Sequence, residues 1–209
     1  MKGRKCALLP EIVERAKLYL FDRRTGEMMY WHVLFVRTGL EHKAVDEINH
    51  LWRLDGLLPF VPMHEVYFKK DIFKKQRLFP GYVFVESVVN GAEFSINTYE
   101  WIARSKYSIR ILRYGGHENF SFEMNENERE VFTKLYNDEQ CVERSQGFIE
   151  GDRVIITDGP LIGFESHIKR INRHKMEATL ELELMGSIRL VTVGLQIVEK
   201  VVSSGALFY

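Results

Sequence analysis

The chain has 209 residues, 45% hydrophobic and 12% aromatic, which suffices for one large or two small folded domains. Its 29 lysines and arginines balance 29 aspartates and glutamates, so the net charge is zero, which argues against a general polyanion binder. Cys6 and Cys141 lie far apart, and no apolar run reaches the roughly 18 residues of a membrane span. We therefore expect a cytoplasmic protein without a membrane segment or a zinc site.

The first half of the chain alternates strand and helix patterns. Residues 1–28 are basic and stand apart, and we expect a loose N-terminal extension there. Hydrophobic spacing then predicts strands over 30–36, 60–68, 78–85 and 109–112, and helices over 41–54, from Asn90 onward, and over 126–136. Asn125 is placed to cap the third helix, with Glu128 completing a capping box. This alternation predicts an α+β sandwich, in which helices pack on an antiparallel-rich sheet, and we assign it to residues 29–136.

The second half changes to short strands and tight turns. Residues 137–146 are polar without periodicity and are interpreted as a linker. Strands are predicted over 154–157, 164–171, 177–184, 188–193 and 196–198, with Met185-Gly186 forming a hairpin turn. Five short strands in about fifty residues predict a small β-barrel over 147–200, followed by a tail over 201–209.

Catalytic patterns are weak throughout the chain. His42 and His50 share a predicted helix but are too far apart to ligate one metal from adjacent turns. Glu181 and Glu183 alternate with leucines, which places them on the wet side of a strand. There is no phosphate-binding loop and no dinucleotide fingerprint. We therefore expect a binding protein that is not an enzyme and carries no cofactor or metal.

Two basic clusters break the charge balance. The first lies in a polar excursion between two predicted strands and consists of Lys69, Lys70, Lys74, Lys75 and Arg77. Such a run is either a solvated hairpin or a contact to a nucleic-acid backbone, and the residues leave both interpretations open.

The second basic cluster spans the end of one predicted barrel strand and the hairpin tip that follows. Its members are Lys169, Arg170, Asn172, Arg173, His174 and Lys175. Lysine and arginine bind phosphates, while arginine and asparagine reach base edges or 2′-hydroxyls where a loop or bulge opens an RNA groove. The cluster therefore favours RNA binding, with a merely solubilising tip as the alternative.

Aromatic side chains mark a third candidate surface in the first domain. They lie on or beside predicted strands and comprise Phe35, Tyr82, Phe84 and Tyr114. Aromatic residues on strands usually form the core, so the residues alone favour a core over an exposed docking pocket.

Three motifs, taken in order, resemble the NusG family of transcription factors. They are an aromatic strand at Trp31-His32-Val33-Leu34-Phe35, the run 78–85 that contains Pro80-Gly81, and Gly151-Asp152-Arg153 leading into the turn Gly159-Pro160. The first two resemble that family's NGN domain and the third resembles its KOW barrel. The resemblance implies an NGN domain that holds the clamp helices of bacterial RNA polymerase in an apolar pocket. The positions that match the pocket are Phe35, Tyr82, Phe84 and Tyr114.

The tip Asn172-Arg173-His174-Lys175 and the closing run 195–200 are similar to LoaP-type antiterminators within that family. This resemblance implies a monomer that binds a nascent RNA hairpin through the KOW barrel and promotes readthrough of terminators in specific operons. Two alternatives stay open. One is a general elongation factor whose barrel binds a ribosomal protein or Rho through an apolar patch. The other is an RfaH-like factor that reads non-template DNA, for which the cluster within 69–77 would matter most.

Overall fold

The computed structural model describes residues 30–50, 56–69, 72–116 and 120–198. The predicted extension over 1–28 and the tail over 201–209 lie outside these residues. The described chain divides into two compact units. Unit 1 contains residues 30–62, 79–129 and 184–187, and unit 2 contains residues 63–78, 130–183 and 188–198. The domain boundaries expected from the sequence stay a prediction.

A four-stranded antiparallel sheet forms the centre of unit 1. Its strands are β1 (Tyr30–Phe35), β2 (Leu57–Phe60), β5 (Tyr82–Ser87) and β6 (Arg110–Ile111), in the order β2-β5-β1-β6. The register places Phe35 opposite Tyr82 and Val33 opposite Phe84. The strand predicted over 60–68 was wrong in one respect, because β2 ends at Phe60 and a new strand begins at Met63. Pro62 lies in the break and has no N–H for a sheet ladder.

Three helices occur within the described parts of the chain: α1 (Glu41–His50), α2 (Gly91–Arg104) and α3 (Glu126–Leu135). All three lie where helices were predicted. Asn90 caps α2, since its side-chain oxygen accepts the N–H of Glu93 at 3.1 Å. The oxygen of Asn125 accepts the N–H of Asn127 at 2.8 Å, so Asn125 caps α3 as predicted.

Unit 1 also contains a small hairpin of β7 (Tyr114–Gly115) and β8 (Phe120–Ser121), which was not predicted. The turn over 184–187 belongs to the same unit. The buried carboxylate of Glu128 accepts the N–H of Met185 at 3.1 Å and the N–H of Gly186 at 2.8 Å. Both turn residues have positive φ, 51° and 71°, which matches the two-residue type I′ turn that glycine permits. The hairpin predicted at this position is confirmed.

A hairpin of β3 (Met63–Lys69) and β4 (Ile72–Arg77) belongs to unit 2. The polar excursion expected over 69–77 contains a paired strand, Ile72–Arg77, that was not predicted. This strand is largely exposed and gives no alternating hydrophobic signal, so only its backbone pairing with β3 reveals it. A short strand, β9 (Cys141–Val142), runs parallel to β3 and gives the sheet order β4-β3-β9. It lies inside the segment interpreted as a linker.

The second sheet of unit 2 has five strands in the order β11-β10-β14-β13-β12. They are β10 (Ser145–Glu150), β11 (Arg153–Asp158), β12 (Ile168–Asn172), β13 (Glu177–Leu184) and β14 (Ser187–Ile197). β10 was not predicted. The strand expected over 164–171 begins as a 3-10 turn at Glu165–His167, and two expected strands are fused in β14. The fold is mixed α/β as predicted, and the curled five-stranded sheet is consistent with a small barrel.

Candidate functional sites

An aromatic face is built on the turn that leads into β5. Gly81 adopts φ +88°, and a Cβ there would lie 3.3 Å from the ring of Phe35. The backbone angle therefore favours glycine, and any Cβ would displace the Phe35 ring by a few tenths of an ångström. The fully buried carboxylate of Glu41 accepts the N–H of Gly81 at 2.7 Å and the N–H of Gly39 at 2.9 Å. Glu41 thus fixes the turn from the start of α1.

Four buried rings form the base of this aromatic face. Phe84 is fully buried, and its ring centroid lies 5.6 Å from Phe60, 5.8 Å from Phe79 and 6.1 Å from Trp31. These are the offset and edge-to-face distances at which aromatic side chains attract one another. Phe84, one of the four residues predicted to bind polymerase, therefore lies in the core. A partner would touch the residues around Phe84 and not Phe84 itself.

The other predicted polymerase-binding residues reach the surface. Phe35 is 38% exposed and packs edge-to-face against half-buried Tyr82, with 5.5 Å between the ring centroids. Together these two rings form the open rim of the aromatic face. Tyr114 is half-buried on β7, where its hydroxyl accepts the side-chain N–H of Asn125 at 3.0 Å. No ring contact described in the structure joins Tyr114 to the rim.

A groove of about 460 Å³ lies at the start of α2 in unit 1, and the sequence did not predict it. Beneath it, both ring nitrogens of fully buried His32 face carbonyl oxygens, of Phe122 at 2.9 Å and of Val89 at 3.1 Å. The ring stacks on Phe94 with 3.9 Å between centroids. Burial lowers the pKa of His32, although both carbonyls and Glu123 favour its cation. Because the neutral imidazole carries one N–H, His32 donates to one of these two carbonyls.

The hairpin tip between β12 and β13 is ordered by two internal hydrogen bonds. The side-chain oxygen of Asn172 accepts the N–H of Lys175 at 3.1 Å, and the carbonyl of Arg173 accepts the N–H of Met176 at 3.3 Å. Arg173, His174 and Lys175 are all exposed. The structure therefore brings together three of the predicted RNA-binding residues on one ordered turn.

The cations on β12 are in a different situation. A β-bulge sits between Ile168 and Arg170, and the Nζ of Lys169 lies 3.1 Å from a carboxylate oxygen of Glu181. This ion pair offsets one of the predicted RNA-binding charges. Arg170 is exposed and lies opposite Thr179 on β13. The open positive charge of the cluster is therefore carried by Arg170 and the tip.

The first basic cluster is less available than its sequence suggests. Lys75 forms an ion pair with Glu139, and the Nζ of Lys74 lies 4.9 Å above the ring of Phe68. Arg77 is half-buried. The side chain of Lys69 and the whole of Lys70 lie outside the described residues. Lys74 and Lys75 are thus engaged by other side chains of unit 2.

Apolar side chains are exposed on the five-stranded sheet. Ile188 is 69% exposed and Leu190 is 66% exposed, both on β14. Ile162, in the loop after β11, is 57% exposed. Charged or polar side chains would be expected at such positions on a surface that meets only water. These residues are a candidate contact for a protein partner.

The sequence model of the family described as "Transcription termination factor nusG" matches residues 29–133, half of the chain. The chain therefore belongs to the NusG family, whose members are transcription factors that bind RNA polymerase. Among solved structures, one described as "Domain interaction in Thermotoga maritima NusG" is similar over 81% of this chain and 94% of that chain. Its sequence identity is 21% and its TM-score is 0.46. In the described part of the chain, no helix has the length and apolar character to cross a membrane.

Proposed function

We propose that this protein is a transcription antitermination and processivity factor of the LoaP type. A domain over 29–136 binds RNA polymerase, and a KOW domain over 147–200 binds a hairpin in the nascent RNA. The protein then promotes readthrough of terminators in specific operons. The observation that carries the proposal is the ordered hairpin tip, which presents Arg173, His174 and Lys175 to solvent.

The polymerase contact is proposed at the rim of the aromatic face. Phe35 and Tyr82 offer an apolar and aromatic surface that is rigid because buried rings and the Glu41 carboxylate support it. A rigid aromatic surface loses little conformational entropy when it binds a helical partner such as the clamp helices. Phe84 acts in this proposal by positioning the rim, and Tyr114 contributes a separate contact.

The RNA contact is proposed at the tip and at Arg170. Each cation that neutralises a phosphate releases a counterion, so the affinity should fall as salt rises. Selectivity requires side chains that reach base edges, which Asn172 and Arg173 can do where a bulge opens the groove. Because one chain carries both contacts, binding at one site raises the effective concentration at the other. Neither contact needs to be tight alone.

The test measures the full chain against two probes, a pool of hairpin RNAs with randomised bulges and bacterial RNA polymerase core enzyme. Arg173→Ala should abolish selective RNA binding and leave polymerase binding unchanged. Arg153→Ala, which removes an equally exposed arginine from β11, is the matched control and should keep selectivity. Weak, salt-sensitive binding of every RNA by the unaltered protein would contradict the proposal, because phosphate contacts alone would explain it.

A second function is favoured by the exposed apolar residues. A general elongation factor whose barrel binds a ribosomal protein or Rho needs an apolar patch, and Ile188 and Leu190 supply one. The double change Ile188→Ser and Leu190→Ser separates the two functions. If it abolishes the effect on transcription while RNA selectivity persists, the protein-partner function is preferred. If readthrough survives it but not Arg173→Ala, the antitermination proposal stands.

A further inference from the structure

The side chains of the hairpin tip carry mainly hydrogen-bond donors. The guanidinium of Arg173 and the ammonium of Lys175 carry hydrogen-bond donors and no acceptor. Asn172 would ordinarily supply both, but its side-chain oxygen accepts the N–H of Lys175 at 3.1 Å, which directs that oxygen towards the backbone of the turn. Its Nδ2 amide is left as a donor. His174 is the only tip side chain whose neutral form retains an acceptor nitrogen.

Acceptor groups lie below the turn. Glu177 is the cross-strand neighbour of Asn172 at the first position of β13 and is half-buried. Glu181 lies further along the strand and is paired with Lys169 at 3.1 Å. The surface that first meets an RNA is therefore the donor-rich turn. Such a surface complements RNA atoms that accept hydrogen bonds.

Two kinds of RNA acceptor fit donors of this kind. Phosphate oxygens carry no sequence information. Among base edges, guanine alone presents two adjacent acceptors, N7 and O6, in the major groove, and arginine is their commonest partner. Adenine places a donor beside its N7, and cytosine presents a donor. A donor-rich turn is thus matched to guanine and mismatched to adenine and cytosine.

We propose that the tip selects guanine, with the Arg173 guanidinium and the Asn172 Nδ2 amide donating to N7 and O6 at a bulge or loop that opens the groove. Asn172 is then a specificity-determining residue, because the internal hydrogen bond fixes which of its two ends faces the RNA. The inference rests on the RNA-binding function proposed above and names the base which that site reads.

The experiment uses the full chain and the randomised-bulge hairpin pool, transcribed with ordinary nucleotides, with 7-deazaguanosine or with 7-deazaadenosine. Loss of the guanine N7 should weaken binding about tenfold, and loss of the adenine N7 should leave it unchanged. Equal weakening by the two analogues, or no weakening by either, overturns the inference. A different result would show that the proposed RNA-binding function itself is wrong. In that case the Arg173→Ala protein would bind the RNA pool as well as the unaltered protein does.

A variant tests the role of Asn172 directly. Asn172→Asp keeps an oxygen that accepts the N–H of Lys175, so the turn is retained, but it replaces the donor amide with an acceptor. Discrimination between guanosine and 7-deazaguanosine should shrink severalfold. Asn97→Asp makes the same charge change at an exposed site on α2 and should keep the discrimination. Full discrimination in Asn172→Asp would overturn the assignment, and urea unfolding curves confirm that both variants fold.

Discussion

The carboxylate of Glu41 accepts the N–H of Gly81 at 2.7 Å from a fully buried position, across forty residues of sequence. Its other oxygen accepts the N–H of Gly39. One side chain at the start of α1 thus determines where β5 and its aromatic residues begin. The proposed polymerase rim depends on this carboxylate although Glu41 itself is inaccessible to a partner.

Replacing Glu41 should therefore affect stability and binding together. Glu41→Ala removes two charge-assisted hydrogen bonds and leaves the buried N–H of Gly81 unpaired, which should lower the free energy of unfolding by about 3 kcal/mol. Urea unfolding measures the change. The control is Glu47→Ala on the same helix, where the carboxylate accepts the hydroxyl of Ser105. A Glu41→Ala protein as stable as the Glu47→Ala protein would contradict this role.

Substitutions at Phe84 and Phe35 should have different effects, the first on stability and the second on polymerase binding. Phe84→Ala leaves a cavity among buried rings and should cost about 3–5 kcal/mol of stability. Phe35→Ala removes a ring that is 38% exposed, so it should cost much less stability yet weaken binding to RNA polymerase core enzyme. Calorimetric unfolding and a pull-down assay give the two readouts. Unchanged polymerase binding by folded Phe35→Ala would count against the rim.

The ion pair between Lys169 and Glu181 should restrain RNA binding. Glu181→Gln releases the lysine, which should tighten binding of hairpin RNA and steepen its dependence on log salt by roughly one unit of slope. Lys169→Ala should change binding less than Arg173→Ala, because its charge is already offset. Filter binding at several salt concentrations measures both effects. An unchanged slope in Glu181→Gln would show that Lys169 lies outside the RNA contact.

His64 on β3 should make unit 2 sensitive to acid. Burial lowers the pKa of His64 to about 4, and its Nδ1 finds no hydrogen-bond partner in the described structure. In the unfolded chain a histidine titrates near 6.5, so on acidification the unfolded state takes up the proton first. The contribution of neutral His64 to the free energy of unfolding is fully present above pH 6.5. It falls by about 3 kcal/mol as the pH drops towards 4.

His64→Gln removes this protonation. Between pH 7 and pH 4 the variant should therefore lose about 3 kcal/mol less free energy of unfolding than the unaltered protein. Urea unfolding at the two pH values measures it. His42→Gln changes an exposed histidine on α1 and should leave the loss as it is. The same loss in the His64→Gln and unaltered proteins would exclude His64 as the cause.

Much of the first sheet could be predicted because its signals are local. The strand at Tyr30–Phe35 and the caps at Asn90 and Asn125 follow from residue type and spacing within a few positions. The turn at Met185-Gly186 follows from the alternation of Leu180, Leu182 and Leu184 ahead of it.

The remaining elements depend on pairing partners and not on a residue pattern of their own. β4 and β10 each form a hairpin with a neighbouring strand, β3 and β11, and β9 is a strand because it pairs with β3, which is distant in sequence. The sequence identified the cations of the hairpin tip but could not show that Glu181 neutralises Lys169. Nor could it show that Phe84 is enclosed while Phe35 is open, since both are aromatic residues on strands.

The position of β9 bears on how this protein can be dissected. Cys141 and Val142 are buried and pair with Met63 and His64, so a cut within 137–140 strips β3 of a neighbouring strand. A fragment that starts after this point would carry the five-stranded sheet without the three-stranded one, and the remainder would expose an unpaired apolar edge prone to self-association. Binding sites in this chain are therefore better isolated by point substitution than by truncation.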